Sequence, residues 1–463
     1  MKPTVVILAA GLGTRMKSGL AKALHPLAGR PLVQHVLNAS RAVDPAKIVL
    51  VLGHQADRVK AAVAAYGAEF VLQGEQLGTG HAVRQARESV AGAAGPVLVL
   101  CADTPLLTGG TLAGLVELHQ KSRAAVSLIT APVEDPFGYG RVVRGKNGIM
   151  RIVEEKDAST AQKKIREINA GIYCFDKKFL LASLDGIGRN NAQGEYYLPD
   201  TIALARKKKL KIAALVCGSA DEVMGVNTRQ DLSRAEAVLR DRINRRWMLE
   251  GVTMLDPAAA FFGDEVILGR DTVLYGGVRL EGRTRLGEGC TVFPGSRITD
   301  STIGNNVTVK DCSVIEASTI AAGASVGPFA HLRPGAVIGE RARIGNFVEV
   351  KKSTIGEGSK ANHLSYIGDT TVGRDVNIGA GVITCNYDGF EKHPTVIEDG
   401  VFVGSDSQLV APVTIGKGAL IAAGATITRD VPPDALAISR APQDIRKGFA
   451  SRRRKMKGKK SSR

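Results

Sequence analysis

The sequence predicts three consecutive pieces: an α/β domain on a parallel sheet, a single long helix, and a parallel β-helix. Three observations carry this. Short apolar runs alternate with helical patterns from residue 1 to about 228. Residues 229–250 contain neither glycine nor proline. Beyond residue 251, aliphatic side chains recur every six positions.

In the first piece, VVILAA (5–10), IVLVLG (48–53), FVLQ (70–73) and VLVLCAD (97–103) read as strands separated by helical stretches. That alternation belongs to a parallel sheet with helices on both faces. Such sheets bind ligands beyond the carboxyl ends of their strands, and two strand ends stand out. The chain opens MKPTVVILAAGLGTRMKSGLAKAL, so one strand runs into Gly11 and Gly13 and then meets Arg15, Lys17 and Lys22. Glycines followed by cations suit a backbone that closely approaches an anion. The other strand end carries Asp103.

The second piece, RQDLSRAEAVLRDRINRRWMLE (229–250), places Leu232, Ala235, Leu239, Ile243 and Trp247 at three- and four-residue spacing. This is one connecting helix, ended by Gly251.

In the third piece, Leu268, Leu274, Leu280, Leu286, Val292 and Ile298 are six apart, followed after a step of five by Ile303, Val309 and Ile315. Ile320 to Val350, Ile355 to Ile367, Val372 to Thr384 and Ile397 to Ile427 continue the series. A six-residue period is neither helical nor hairpin spacing; it fits a parallel β-helix taking three hexapeptides per coil, about nine coils here. Between Thr384 and Ile397 the spacing is thirteen rather than twelve, and the segment reads CNYDGFEKHPTV. An aromatic, charged insertion must leave the coil, and such loops often carry binding.

The net charge of +17 is concentrated at one end: RKGFASRRRKMKGKKSSR (446–463) holds ten basic and no acidic residues, leaving +7 for the rest. The composition predicts a disordered, solvated tail, with a polyanion-binding arm as the alternative. No specific nucleic-acid partner is expected of the body. Six cysteines lie far apart with no CxxC pair and read as reduced thiols. The opening segment lacks the pattern of a secretory signal and no long apolar run spans a membrane, so the expected location is cytoplasmic.

LAAGLGTRM with Lys22 downstream resembles the L-x-x-G-x-G-T-R fingerprint of sugar-phosphate nucleotidyltransferases. A dinucleotide-binding turn would want its third glycine at Met16. QGEQLGTGHAV (73–83), CADTPL (101–106), GYGRVV (138–143), IVEEKDA (152–158), NAGIYCF (169–175) and VNT (226–228) extend the likeness. Together with the hexapeptide half, the chain resembles the bifunctional N-acetylglucosamine-1-phosphate uridyltransferase/glucosamine-1-phosphate N-acetyltransferase family over roughly 1–445.

That resemblance implies an α/β nucleotidyltransferase (Rossmann-like) domain over 1–228, a linker helix over 229–250, a left-handed β-helix acetyltransferase domain over 251–445, and the basic tail. It implies that the first domain joins UTP to N-acetylglucosamine 1-phosphate with release of pyrophosphate. Leu8, Ala9, Ala10 and Gly11 would offer backbone to the nucleotide, and Arg15 and Lys22 would meet the triphosphate. Gln73, Gly78 and Thr79 would read the uracil and nearby groups, and Gly140, Glu154 and Asn169 would hold the sugar. Asp103 and Asn227 would hold Mg²⁺, with Asn227 also at the nucleotide sugar. Two positions depart from the family pattern: Leu12 stands where lysine is common, and Cys101-Ala102 where an aromatic and a glycine are commoner.

For the second domain the resemblance implies acetyl transfer from acetyl-CoA to glucosamine 1-phosphate. An amine largely protonated near neutrality needs a general base, and histidine suits that task; His363 matches. Arg333 and Lys351, one coil apart, would bind the sugar phosphate, with Tyr366 and Asn377 on the sugar. Ala380, Asn386, Tyr387, Ser405, Ala423 and Arg440 would contact acetyl-CoA, with Asn386 or Ser405 donating to the thioester oxygen. Family members are trimers with this site between subunits. The alternative is a single-activity nucleotidyltransferase whose β-helix only oligomerises, and a third reading is a polyanion-binding scaffold acting through the tail. An assembly scaffold has no need of Arg333, Lys351, His363, Tyr366, Asn377 and Asn386-Tyr387 together.

Overall fold

The computed structural model describes residues 1–458, and the chain divides into two compact units. The first comprises Met1–Arg246 with Phe262–Asp264, the second Trp247–Phe261 with the remainder.

The first unit is built on a mixed sheet. Its strands run in the order Ile212–Val216, Val126–Pro132, Glu167–Phe175, Val97–Cys101, Thr4–Ala9, Lys47–Leu52, Glu69–Leu72. The four apolar runs read from the sequence pair in parallel, with Thr4–Ala9 at the centre and Leu8 opposite both Val51 and Cys101. The expectation of a wholly parallel sheet is corrected by Glu167–Phe175, which lies antiparallel between Val97–Cys101 and Val126–Pro132. It also pairs with the hairpin Arg141–Gly145/Gly148–Val153. Aliphatic side chains of the central strands are fully buried on both faces, Val5 and Ile7 on one, Val6 on the other. The apolar runs are therefore continuous rather than alternating.

The helix Arg229–Leu249 forms where expected, but most of it belongs to the first unit rather than acting as a free connector. Ala235 is buried in a cluster with Met16, Leu27, Leu32, Leu106, Met224 and Val226, and Leu232 and Leu239 pack on it. Arg242 donates to the Leu106 carbonyl at 2.5 Å, and Glu236 accepts from the Ala28 N–H at 2.9 Å.

The second unit is a parallel β-helix of hexapeptide repeats. Three sheets of 11, 10 and 9 short strands form its faces, and each strand pairs in parallel with one a coil later, as Val273 with Thr291 and Leu274 with Val292. Every inward position of the six-residue series is buried, none more than 6% exposed. Burial of one such side chain is worth about 1.5–3 kcal/mol, so the stack is the coil's main source of stability. The interruption is larger than the spacing suggested. Thr384 and Ile397 are consecutive inward positions, because Thr384 precedes Leu409 in one sheet while Ile397 follows Val372 in the next. A coil normally advances by 17 or 18 residues, as from Ile338 to Ile355 and from Leu274 to Val292, whereas Val372 to Ile397 takes 25.

All six cysteines are free thiols. No helix among the described residues is long and apolar enough to cross a membrane. In the tail, Phe449–Gly458 is helical where disorder was expected. Ala, Arg, Lys and Met favour helix locally, and the side chains from Arg446 to Met456 are all exposed. Residues 459–463 of the predicted tail lie outside the described residues.

Candidate active sites

In the first unit, the ends of Thr4–Ala9 and Val97–Cys101 open into two adjoining cavities of about 400 and 740 Å³. The smaller is lined by the Leu8–Thr14 turn, Lys22, Gln73, Gly78, Thr79 and Asp103. The larger takes in Arg15, Gly140, Glu154, Asn169 and Asn227. Every residue expected at the nucleotide, the sugar and the metal thus borders one continuous cleft.

The turn's two glycines do different things. Gly13 has φ +63°, and a side chain there would run into Lys22. Gly11 has open space where a side chain would project. The turn therefore brings Lys22 inward and leaves backbone bare toward the cavity. Lys22 Nζ makes a short contact with Asp103 Oδ2 and donates to Asn227 Oδ1 at 3.2 Å. Arg15 donates to the same Asn227 oxygen at 2.9 Å. A bond from Val226 N–H to the Asp103 carbonyl at 2.7 Å ties the Asn227 loop to the strand end. Two hard oxygen donors from residues far apart in sequence therefore converge on one cation.

The departures are accommodated. Ala102 donates its N–H to the Leu8 carbonyl at 3.0 Å without a left-handed backbone. Cys101 points toward the Gly171 carbonyl, and burial pushes its thiol up to about 12, so it stays a neutral thiol. Leu12 is exposed on the turn that lines the smaller cavity.

In the larger cavity, the Asn169 N–H donates to the Gly140 carbonyl at 2.8 Å, and the Glu154 carboxyl packs where a side chain at residue 140 would sit. Burial, followed by the charges of Asp200 and Asp157, raises Glu154 to about 7. The hydroxyls of Tyr173 and Tyr197, buried beside the same cavity, make no well-formed hydrogen bond among the described residues, although Asn169 and Gln193 lie near them. Sequence reading missed both, and their burial became visible only when the antiparallel strand and the 195–199 turn came together.

The raised Glu154 carboxyl has a stability consequence. Its folded value lies above the unfolded one, so folding is penalised increasingly as pH rises from about 4.5 to 7, then constantly. Glu154→Gln should gain on the wild type by about 3 kcal/mol at pH 8 and by almost nothing near pH 4.5. Thermal melts across that range check this; a pH-independent difference would show that Glu154 ionises normally.

In the second unit, one corner of the β-helix collects residues expected at acetyl transfer. Asn346 pairs with His363 one coil on, and His363 Nδ1 lies 2.8 Å from Asn346 Oδ1. Asn346 was missed by sequence reading; its only signal was the 17-residue offset from His363. With Nδ1–H donating to that oxygen, the free lone pair is on Nε2. Ala380, Ser405 and Ala423 continue the same column, linked by Asp406 N–H to the Ala380 carbonyl (2.7 Å) and Gly424 N–H to the Ser405 carbonyl (2.8 Å). Arg440 reaches back to donate to the Ala423 carbonyl at 2.8 Å.

Around the corner, Leu332 pairs with Val350 and Lys351 with Gly368, placing Arg333 and Lys351 at successive levels. Arg333 is held by Glu349 at 2.8 Å. The Tyr366 hydroxyl and the Asn386 amide both crowd Gly368. Asn386 is 6% exposed and donates one of its two amide hydrogens to Asp369 at 2.5 Å, which fixes the direction of the other, whereas Tyr387 is exposed on the loop. Asn377 sits at the start of a strand between Lys360 and Phe402. Lys392, from the inserted loop, was also missed. The Lys351 ammonium beside it lowers its affinity for a proton.

An α/β sheet whose strand ends open into a cation-lined cleft, continued by a hexapeptide β-helix, places the chain among nucleotidyltransferases joined to acyltransferases. Residues 5–166 match the MobA-like NTP transferase domain, and residues 317–352 and 394–429 match the bacterial transferase hexapeptide family. The Bifunctional protein GlmU of Pelobacter propionicus is 51% identical over 97% of this chain and 98% of its own length. Those of Heliobacterium modesticaldum and Trichlorobacter lovleyi are each 51% identical, over 98% and 97% of this chain and 99% and 98% of theirs. The chain belongs to the bifunctional GlmU family.

Proposed function

We propose that the chain acetylates glucosamine 1-phosphate in its second unit and uridylylates the resulting N-acetylglucosamine 1-phosphate in its first. The observation that carries this is the convergence of two sets of candidate side chains, one in each unit. A scaffold would keep neither the His363–Asn346 pair nor the paired Lys351 and Lys392.

In the second unit, His363 Nε2 removes a proton from the substrate ammonium, and the freed amine attacks the thioester carbon. The carbon–sulfur bond then breaks, and the CoA thiolate leaves and is protonated. Arg333, Lys351 and Lys392 bind the phosphate, with Tyr366 and Asn377 on the sugar. Small side chains at Ala380 and Ala423 leave a path along the coils for a pantetheine arm, with Ser405 and Arg440 beside it and Tyr387 on the loop. Ser405, or Asn386 through the amide hydrogen not given to Asp369, donates to the developing oxyanion.

In the first unit, a phosphate oxygen of the sugar attacks the α-phosphorus of UTP in line, and the bond to pyrophosphate breaks. Such a transfer needs alignment and charge neutralisation more than covalent help. The Leu8–Gly11 backbone and Arg15 and Lys22 bind the triphosphate; Gly140, Glu154 and Asn169 orient the sugar. Asp103 and Asn227 fit Mg²⁺, because their oxygens already share a cation and a hard ion of this kind takes few protein ligands. When bound, Mg²⁺ neutralises phosphate charge.

An exposed apolar ladder, Phe329, Phe347 and Leu364, runs beside the His363 column. The two phenylalanine rings stack at 5.4 Å. All three residues have positive φ (53°, 56° and 43°), a conformation costing about 1–2 kcal/mol for a side chain of this kind. Strained, exposed aromatics fit the face on which subunits of a trimer meet, with the acetyl-transfer site between them. Phe347→Asn relieves the backbone while removing the stacked ring. It should preserve the fold, weaken trimer formation in sedimentation velocity and lower acetyl transfer alone.

The overall proposal is tested by assaying the purified protein for thiol release with glucosamine 1-phosphate and acetyl-CoA, and for pyrophosphate release with N-acetylglucosamine 1-phosphate and UTP. Absence of the first activity alone would favour the single-activity alternative.

A further inference from the structure

Gln73 is buried at the wall of the smaller cavity, only 4% exposed. Its Nε2 donates to the Gly78 carbonyl at 3.3 Å and lies 3.0 Å from His81 Nδ1. A backbone carbonyl only accepts, so Gly78 determines which end of the amide is nitrogen. His81 Nδ1 must then accept, and the imidazole proton sits on Nε2. That nitrogen lies 2.9 Å from Gln85 Nε2; two N–H donors cannot face each other, so the Gln85 amide must be turned over to bring its oxygen to the proton. The imidazole lies beside the Tyr196 ring, with ring centres 6.2 Å apart and planes inclined at 28°. The Tyr196 ring is itself braced by Arg84 at 4.6 Å.

Both hydrogens of the Gln73 amide are thus engaged by the protein, and Oε1 is left for the cavity. We propose that His81 is a specificity-determining positioning residue: by accepting from Gln73 Nε2, it locks the amide with its oxygen toward the base. The pocket then takes a nucleobase presenting a ring N–H, as uracil does at N3. Cytosine presents a lone pair there and would meet oxygen with nitrogen, two acceptors face to face. Turning the amide over to suit cytosine would set Oε1 against the Gly78 carbonyl and the His81 lone pair together. Gly78 alone, through one long bond, holds the amide less firmly. The inference rests on the uridylyl-transfer reading of this cleft.

The test compares kcat/KM for UTP and CTP by pyrophosphate release, using the full-length chain and saturating N-acetylglucosamine 1-phosphate. The wild type should prefer UTP strongly, and His81→Ala should reduce that preference about tenfold or more, since a pocket rejects an analogue only while its polar group cannot turn. A merely structural role for His81 would lower both values together and leave the ratio unchanged, which overturns the inference. Gln85→Leu, which frees the imidazole proton without touching Gln73, should move the ratio in the same direction by less. It serves as the deciding variant if His81→Ala does not fold, and an unchanged ratio there overturns the inference too. A wild type with no preference for UTP overturns the uridylyl reading itself. A preference that survives in the variants overturns only the role of His81.

Discussion

Replacing His363 with alanine should cut acetyl transfer by about 10²- to 10⁴-fold, the range for loss of a positioned general base, and leave uridylyl transfer at the wild-type rate. The argument starts from register. Asn346 and His363 face each other on successive coils, and Asn346 Oδ1 holds the ring by Nδ1 at 2.8 Å. The lone pair on Nε2 is therefore directed away from the coil and free to take a proton. His363 is exposed and its side chain stabilises no core, so the variant should fold and melt as the wild type does. Thiol release from CoA follows one reaction, and pyrophosphate release the other. A folded variant with full acetyl transfer would return this histidine to the solvated surface. Asn346→Ala should give a smaller loss and a shifted pH profile, because it frees the ring to change tautomer without removing it.

The converse is expected of Asp103→Ala: uridylyl transfer should fall by about 10²- to 10³-fold or more, as for loss of one preorganised electrostatic contact, with acetyl transfer untouched. Asp103 contacts the Lys22 ammonium, and both side chains are mostly shielded from solvent. Removing the carboxylate leaves that cation without its main partner, so part of the effect will be a loss of stability. Asp103→Asn separates the two contributions. It keeps an oxygen and the shape, should restore most of the melting temperature, and should recover little activity if charge is what the metal requires. EDTA gives the matching result on the unmodified protein: uridylyl transfer stops while acetyl transfer continues. Equal loss of both would point to a metal that holds the fold.

Legibility in the sequence varied with how local the cause was. The aliphatic period of the β-helix reported burial directly, because each coil repeats the same inward positions. The strand ends at Ala9 and Cys101 were legible for the same reason, as continuous apolar runs stopping at glycine or aspartate. The antiparallel course of Glu167–Phe175 was not. An apolar run records that a strand is buried and carries no sign of its direction, which is set by the hairpin packed beside it. The size of the 385–396 excursion was misjudged because two inward positions thirteen apart look like a skipped hexapeptide until register shows that they are neighbours. In the tail, composition predicted disorder and local propensity produced a helix, two tendencies that a short basic segment satisfies at once.

The sequence by itself determined the two architectures, the glycine-and-cation turn, and a set of candidate residues that all border the cleft of the first unit or gather on one corner of the second. These follow from periodicity, backbone permissiveness and side-chain chemistry, all of which are written residue by residue. Only the tertiary structure decided which of those residues meet. It joined Lys22 to Asp103 and Asn227, set Asn346 under His363, brought Lys392 to Lys351, and turned the amide of Gln73 through His81. It also raised Glu154 by burying it among carboxylates. The physical reason is that proton affinity, tautomer and amide orientation are properties of surroundings. Those surroundings are assembled from segments as far as 212 residues apart, and no local pattern records them.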